Sequence, residues 1–189
     1  NMRILSTVII ILITTVAIAK NLDEANGMAY SKDVRNALFI VELDPNETHC
    51  LAQNIYFEAG NQSLEGMAAV ADVTINRVEN SRYPDTICGV VYQGLKHADG
   101  QMKRNKCQFS WYCDGKSDRI PSTQMHNFEN AQNIANAMLL EYELRQTHWL
   151  GITEGSTHYH AHYVVPNWIH DNGMKRKKQI GKHIFYKFK

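Results

Sequence analysis

The stretch Asn54-Ile55-Tyr56-Phe57-Glu58-Ala59-Gly60 sets one acid near the end of a helix. That helix opens at Asp44-Pro45-Asn46-Glu47, where Asp44 can cap the free N–H groups and Pro45 suits the first turn. Glu47 completes a capping-box pattern. Leu51, Ile55 and Glu58 follow at the i, i+4, i+7 spacing of one helix face, and Gly60 is a natural stop. Glu58 is therefore expected in the last turn, pointing inward between the aromatic neighbours Tyr56 and Phe57. Burial disfavours the charged carboxylate, and the negative end of the helix dipole pushes the same way. A carboxyl that keeps its proton near neutral pH can protonate a glycosidic oxygen as the bond breaks. On periodicity alone, a plain link from Glu58 to a Lys or Arg at the helix end is the more economical reading.

Outward from this helix, Ser63 starts a second one through Ala68, Ala71, Ile75 and Val78, ended by Tyr83-Pro84. Asp85 or Thr86 caps a short third helix over Ile87 to Tyr92, and Gly94 to Pro121 reads as irregular. A long helix is predicted over about 125–145, with Phe128, Ala131, Ala135 and Met138 to Leu140 as its buried stripe. After Gly155 the period changes from helical to alternating: His158, His160 and His162 interleave with Tyr159, Ala161 and Tyr163. Asp171-Asn172-Gly173 offers a turn, and Gln179 to Phe188 reads as one returning strand. The fold class this predicts is α+β, mainly helical with a small C-terminal antiparallel hairpin or sheet.

The 189 residues suit one domain, over 45–189, plus an appendage. Met2 and Arg3 precede an apolar run from Ile4 to Ile18, and Ala17-Ile18-Ala19 is a small-x-small cleavage pattern. Residues 1–19 are read as an export signal, cleaved in preference to retained as an anchor, and 20–44 as a linker. The expected location is periplasmic or extracellular. A net charge of +1 gives no global field for nucleic acid. Lys175, Arg176, Lys177, Lys178, Lys182, Lys187 and Lys189 crowd the end, read first as a solvated tail and second as a weak contact for anionic wall polymer or membrane. A monomer is expected. Cys50, Cys88, Cys107 and Cys113 allow three disulfide pairings, and sequence does not choose among them. Without CxxC or Cys/His zinc spacing, staples or buried thiols are favoured over a metal site.

Three further features bear on chemistry. Cys107-Gln108-Phe109-Ser110-Trp111-Tyr112-Cys113-Asp114-Gly115 could stack aromatic faces on sugars, or form a tied loop whose Trp111 plugs the core. His158, His160 and His162, with His183 on the returning strand, could bind zinc. A hydrogen-bonding strand beside a groove is the preferred reading. Glu65 lies in a first helical turn, where a carboxylate is favoured anyway.

Several blocks together resemble the SleB-type cell wall hydrolases, the family of spore-cortex-lytic enzymes. They are Asn54 to Gly60 continuing into Ser63 to Ala71 and Asn76-Arg77-Val78; Tyr83-Pro84 with Ile87 to Gln93; Cys107 to Gly115; and Thr157 to Ala161 with Pro166, Trp168 and Ile180 to Tyr186. They are co-linear over roughly 50–186, which is a specific signal. Ala59-Gly60-Asn61-Gln62 departs from the family's common Ala-Arg-Gly-Glu run, and Cys50 and His162 are additions. The resemblance implies a lysozyme-like domain with one essential glutamate, matching Glu58, and reverses the odds on that residue. It implies cleavage of peptidoglycan glycan strands between N-acetylmuramic acid and N-acetylglucosamine, giving 1,6-anhydro products, with no metal and no cofactor. Phe109, Ser110, Trp111, Thr157, His158, Tyr159 and His160 are the residues expected to hold the glycan. The alternatives are a lysozyme-type muramidase using Asp72 or Glu65 to activate water, a zinc amidase or peptidase built on the histidines, and a wall-binding module without catalysis.

Overall fold

Asp44 turns the chain into the first helix, α1 (Pro45–Ala59), its carboxylate accepting from the backbone N–H groups of Asn46 and Glu47. The computed structural model describes residues 41–145 and 151–189. The expected signal over 1–19 and the linker as far as residue 40 lie outside the described residues. Glu47 does not close a capping box. Its Oε2 instead accepts from the N–H groups of Ile87 and Cys88, capping α3 (Ile87–Val91) from a distance. The disulfide Cys50–Cys88 ties the same two helices, and Cys107–Cys113 closes a short loop. Thr86, one of the two expected caps of α3, accepts from the N–H of Gly89.

The second helix, α2 (Leu64–Val78), is capped by Ser63 and stops at Val78, short of Tyr83-Pro84. It is buried on almost every side from Gly66 to Arg77. Val70, Ala71 and Ile75 join the main core with α1, α3 and α4 (Met125–Arg145), and Ala69 and Val73 join Ile180 and Phe185 of the C-terminal sheet. The small side chains on α2 let both layers approach it. Along α4, Phe128, Ala131, Ala135, Met138 and Leu139 are buried as expected, but Leu140 is 42% exposed. One residue past Leu139 turns by about a quarter of a circle, off the apolar stripe.

Gly94 to Pro121 is not irregular throughout. β1 (Gly94–Lys96) pairs antiparallel with β2 (Met102–Cys107), with Gly94 opposite Cys107. His97 to Gly100 makes the turn, Gly100 sitting at φ 87°. These strands are Lys- and Arg-rich and largely exposed, so no apolar alternation announces them. The C-terminal segment is a three-stranded antiparallel sheet in the order β3-β5-β4: β3 (His158–Ala161), β4 (Met174–Ile180) and β5 (His183–Phe188). The single strand expected over Gln179 to Phe188 is two strands, because Gly181 at φ 53° folds the chain back. His162 lies just past the end of β3. The architecture is a mainly helical, lysozyme-like α+β fold with small antiparallel sheets.

Candidate active site

The helix that Asp44 starts delivers Glu58, in its last turn, to the edge of the core, where the side chain is half-buried. On β3, Tyr159 stands opposite Phe185 and reaches across, its hydroxyl donating to Glu58 Oε2 at 2.9 Å. Burial raises the Glu58 pKa; the Tyr159 hydrogen bond and the Arg77 charge oppose it and do not cancel it. Burial also raises the Tyr159 pKa well above its ordinary value, so the phenol stays a donor.

Arg77, near the end of α2, is buried. Its Nε donates to the Thr157 carbonyl at 2.8 Å, and its guanidinium lies 4.8 Å from the Phe109 ring centre and 5.5 Å from that of Tyr83. Its Nη1 has no hydrogen-bond partner among the described residues, and no ion pair among them joins it to Glu58. A buried guanidinium without a carboxylate is costly. Here it places a fixed positive charge near the acid.

Two cavities adjoin at Glu58. One of about 460 Å³ is walled by Gly60, Asn61, Arg119, Gln124 and Asn127. The other, about 360 Å³, is walled by Ser110, Trp111, Asp114, Lys116 and Asp118. Phe57, Glu58 and Ser117 line both, so the pair forms one groove passing the carboxyl.

The residues expected to hold a glycan divide between groove and core. Ser110 is exposed in the groove. Trp111 satisfies both of its readings: it is buried, stacked on Phe57 at 4.5 Å, and donates from Nε1 to Asn54 Oδ1, yet it lines the second cavity. Phe109 is buried beneath Arg77 and lines neither cavity. Thr157 is buried, with its carbonyl engaged by Arg77. His158 and His160 point away from Tyr159, as strand alternation requires, and pack on Trp168 at 5.6 Å each. His160 also meets the Tyr186 hydroxyl at 3.1 Å. Tyr159 is thus the β3 side chain that meets the acid.

The four histidines have separate partners: Thr157 for His158, the Ala161 carbonyl for His160, the Lys182 carbonyl for His162 and Gln62 for His183. Burial lowers the pKa values of His158 and His183 to about 4. Among the described residues no group of three His, Cys, Asp or Glu is placed to hold a metal ion. Asp72 is fully buried and accepts from Thr153 N at 2.7 Å and Thr153 Oγ1 at 2.6 Å, which places it in the wall of the fold, away from both cavities. Glu65 is exposed in the first turn of α2. Neither is positioned to direct a water at the groove. Asn54 and Arg77 stand in the blocks that carry the family resemblance but receive no role from the sequence, although for Arg77 the stretch Asp72-Val73-Thr74-Ile75-Asn76-Arg77, polar residues threaded through a buried helix, carries a visible signal.

Residues 61–186 match the Cell Wall Hydrolase family. This chain belongs to that family. The match begins at Asn61, just past Glu58, so the acid itself stands on the geometry above. The hydrolase is 37% identical over 60 residues to the spore cortex-lytic enzymes of Bacillus subtilis (strain 168) and Oceanobacillus iheyensis. That stretch is 30% of this chain but only 20% and 22% of those proteins, so the chain matches about a fifth of their length. Among solved structures, it resembles the catalytic domain of the germination-specific lytic transglycosylase SleB from Bacillus anthracis, with TM-score 0.55 and 23% identity over 78% of this chain and 99% of that one. It also resembles the Bacillus cereus SleB catalytic domain, with TM-score 0.50 and 23% identity over 78% of this chain and 94% of that one. At such identity the likeness is one of fold.

Proposed function

We propose that this cell wall hydrolase cuts peptidoglycan glycan strands between N-acetylmuramic acid and N-acetylglucosamine by lytic transglycosylation, with Glu58 as general acid and then base. The observation that carries the reading is a carboxyl whose pKa burial raises, set at the point where two cavities meet, so that a chain can cross it. The relatives named as cortex-lytic enzymes and lytic transglycosylases support the substrate class.

In this mechanism Glu58 protonates the bridging oxygen while positive charge develops at the muramoyl C1. The C–O bond breaks and the glucosaminyl fragment leaves with the proton. Glu58, now a carboxylate, is stabilised by the Tyr159 hydroxyl and the nearby Arg77 charge. It removes the proton of the muramoyl C6 hydroxyl, whose oxygen closes on C1. The product is a 1,6-anhydro sugar, with no net uptake of water. Acid–base help of this kind contributes about 10²–10⁴-fold. Ser110 and Trp111 in the groove are the glycan contacts best supported, and Tyr159 acts through Glu58.

A second reading, hydrolysis, is favoured by one observation: Asp118 lines the same cavity as Glu58, and burial followed by the Asp114 charge raises its pKa. A carboxylate there could direct water as in inverting glycosidases, or trap the sugar covalently as in retaining ones. Mass spectrometry of digested sacculi separates the two readings. Anhydro ends from wild type, absent with Glu58→Gln, are expected. Reducing ends that vanish with Asp118→Asn would replace transglycosylation by hydrolysis. Action on peptidoglycan places the enzyme in the periplasm or outside the cell, with residues 1–19 as its export signal. The disulfides Cys50–Cys88 and Cys107–Cys113 fit an oxidising compartment.

A further inference from the structure

The two cavities that meet at Glu58 are lined by opposite charges. In the larger one Arg119 is exposed beside Asn61, Gln124 and Asn127. Its backbone N–H donates to Ser117 Oγ at 3.2 Å, and no ion pair among the described residues engages its guanidinium. Asn127 donates to Gln124 Oε1 at 2.7 Å, which leaves the Gln124 NH₂ and the Asn127 carbonyl for a ligand. The smaller cavity is lined by Asp114 and Asp118, with Lys116 the one cation among the described lining residues, held by Asp114 at 3.4 Å; Arg104, outside the lining, donates from Nε to the Asp114 carbonyl at 3.1 Å. The Lys116 backbone N–H is the main reason the Asp114 carboxyl is held below its usual pKa, so that group stays ionised. One side of the acid therefore presents an uncommitted cation, and the other a lining in which carboxylates outnumber cations.

A peptidoglycan strand has a matching asymmetry. Its sugars alternate between a neutral N-acetylglucosamine and a muramic acid whose lactyl arm ends in a carboxyl, free or extended by a peptide. From the groove's charges we infer that the Arg119 cavity is the subsite for the carboxylate-bearing muramoyl unit, and that the aspartate-lined cavity takes its neutral neighbour. Arg119 is then a specificity residue: it fixes which of the two alternating bonds lies over Glu58. A strand shifted by one sugar would withdraw the carboxylate from Arg119 and bring it against Asp114 and Asp118, and like-charge contact of that kind suppresses wrong registers. The planar guanidinium suits the task, because it can meet a carboxylate through two parallel hydrogen bonds. This inference rests on the glycan-cutting reading of the site.

The test uses peptide-free glycan strands in two forms, one with free lactyl carboxylates and one with those groups converted to neutral methyl amides. The readout is the ratio of kcat/KM on the two forms, for wild type, Arg119→Gln and Arg119→Glu. Arg119 is exposed, so neither change threatens the fold. An exposed ion pair supports a preference of about fivefold for carboxylate strands in wild type, lost in Arg119→Gln and inverted in Arg119→Glu. The ends formed should also shift in Arg119→Glu, with a rising share of cuts at the other glycosidic bond. A ratio that is the same in all three proteins overturns the inference while leaving glycan cleavage intact. Wild type that opens neither form of strand removes the glycan-cutting reading itself.

Discussion

Two carboxylates on neighbouring helices, half-buried Glu58 of α1 and fully buried Asp72 of α2, have opposite surroundings. Asp72 is fully buried, and Thr153 offers it a backbone N–H and a hydroxyl at 2.7 and 2.6 Å. Gly151, at φ 62°, passes so close that a Cβ there would lie 1.8 Å from Asp72 Oδ1. That carboxylate clamps the loop that leads into β3. Among the described residues Glu58 has one hydrogen-bond donor, Tyr159, and its other side faces a groove. What distinguishes the two acids is the number of fixed donors and the access of a ligand, because depth alone would rank Asp72 first. A carboxylate held by fixed donors in the wall serves the fold, whereas one open to a groove can meet a ligand and trade a proton with it.

The largest effect that would break this contrast is on catalysis. Glu58→Gln keeps the shape and removes the transferable proton, so release of soluble glycan from sacculi should fall by about 10³-fold. Circular dichroism should meanwhile show an intact fold. Cleavage within tenfold of wild type would mean that another group carries the proton. The matching change at Asp72 should act on stability. Asp72→Ala leaves the Thr153 donors and the clamped loop without an acceptor, a loss of about 3 kcal/mol in urea unfolding. Molecules that remain folded should keep most of their activity. Activity lost without any loss of stability would make Asp72 part of the chemistry.

How much of this was open to reading from the sequence follows the same division. Apolar spacing is a packing signal, so α1, α2 and α4 were legible, and Glu58 with them, because the acid sits on the stripe set by Leu51 and Ile55. The hairpin of β1 and β2 was not legible, since exposed Lys and Arg strands held by backbone pairing leave no apolar pattern. Strand alternation is legible and holds over 158–161, though not at His162 and Tyr163, yet which face meets the acid depends on how the sheet docks on α2 through Ile180 and Phe185. The sequence therefore offers His158, Tyr159 and His160 alike as glycan contacts, and only the docked sheet singles out Tyr159 as the side chain that meets the acid. The role of Arg77 is hidden for a related reason: polar residues in a buried helix mark the position, but the lack of a partner for Nη1 among the described residues has no signature in a chain.

A smaller effect sharpens the contrast on the Glu58 side. The Tyr159 hydroxyl favours ionised Glu58, so Tyr159→Phe should raise the Glu58 pKa further. The acid step needs the protonated carboxyl, and activity therefore falls as pH rises through that pKa. In Tyr159→Phe the alkaline limb of kcat/KM should move to higher pH, and kcat should fall by about tenfold because the departing charge has lost a donor. A merely structural tyrosine would lower activity at every pH and leave the limb in place.

The smallest effect is on stability, and its sign follows from linkage. Burial gives Glu58 a folded-state pKa above its ordinary 4.5, so over that interval the native protein holds a proton the unfolded chain has released. Its contribution to stability is greatest below the unfolded pKa and declines as pH rises through the folded value, the reverse of the usual salt-bridged carboxylate. Glu58→Gln cannot ionise and should remove this decline, so that its stability advantage over wild type appears and grows with rising pH in that window. Chemical denaturation of the two proteins at several pH values reads the difference directly. Parallel curves would mean that Glu58 titrates alike in both states, and the distinction drawn between the acids would lose its electrostatic basis.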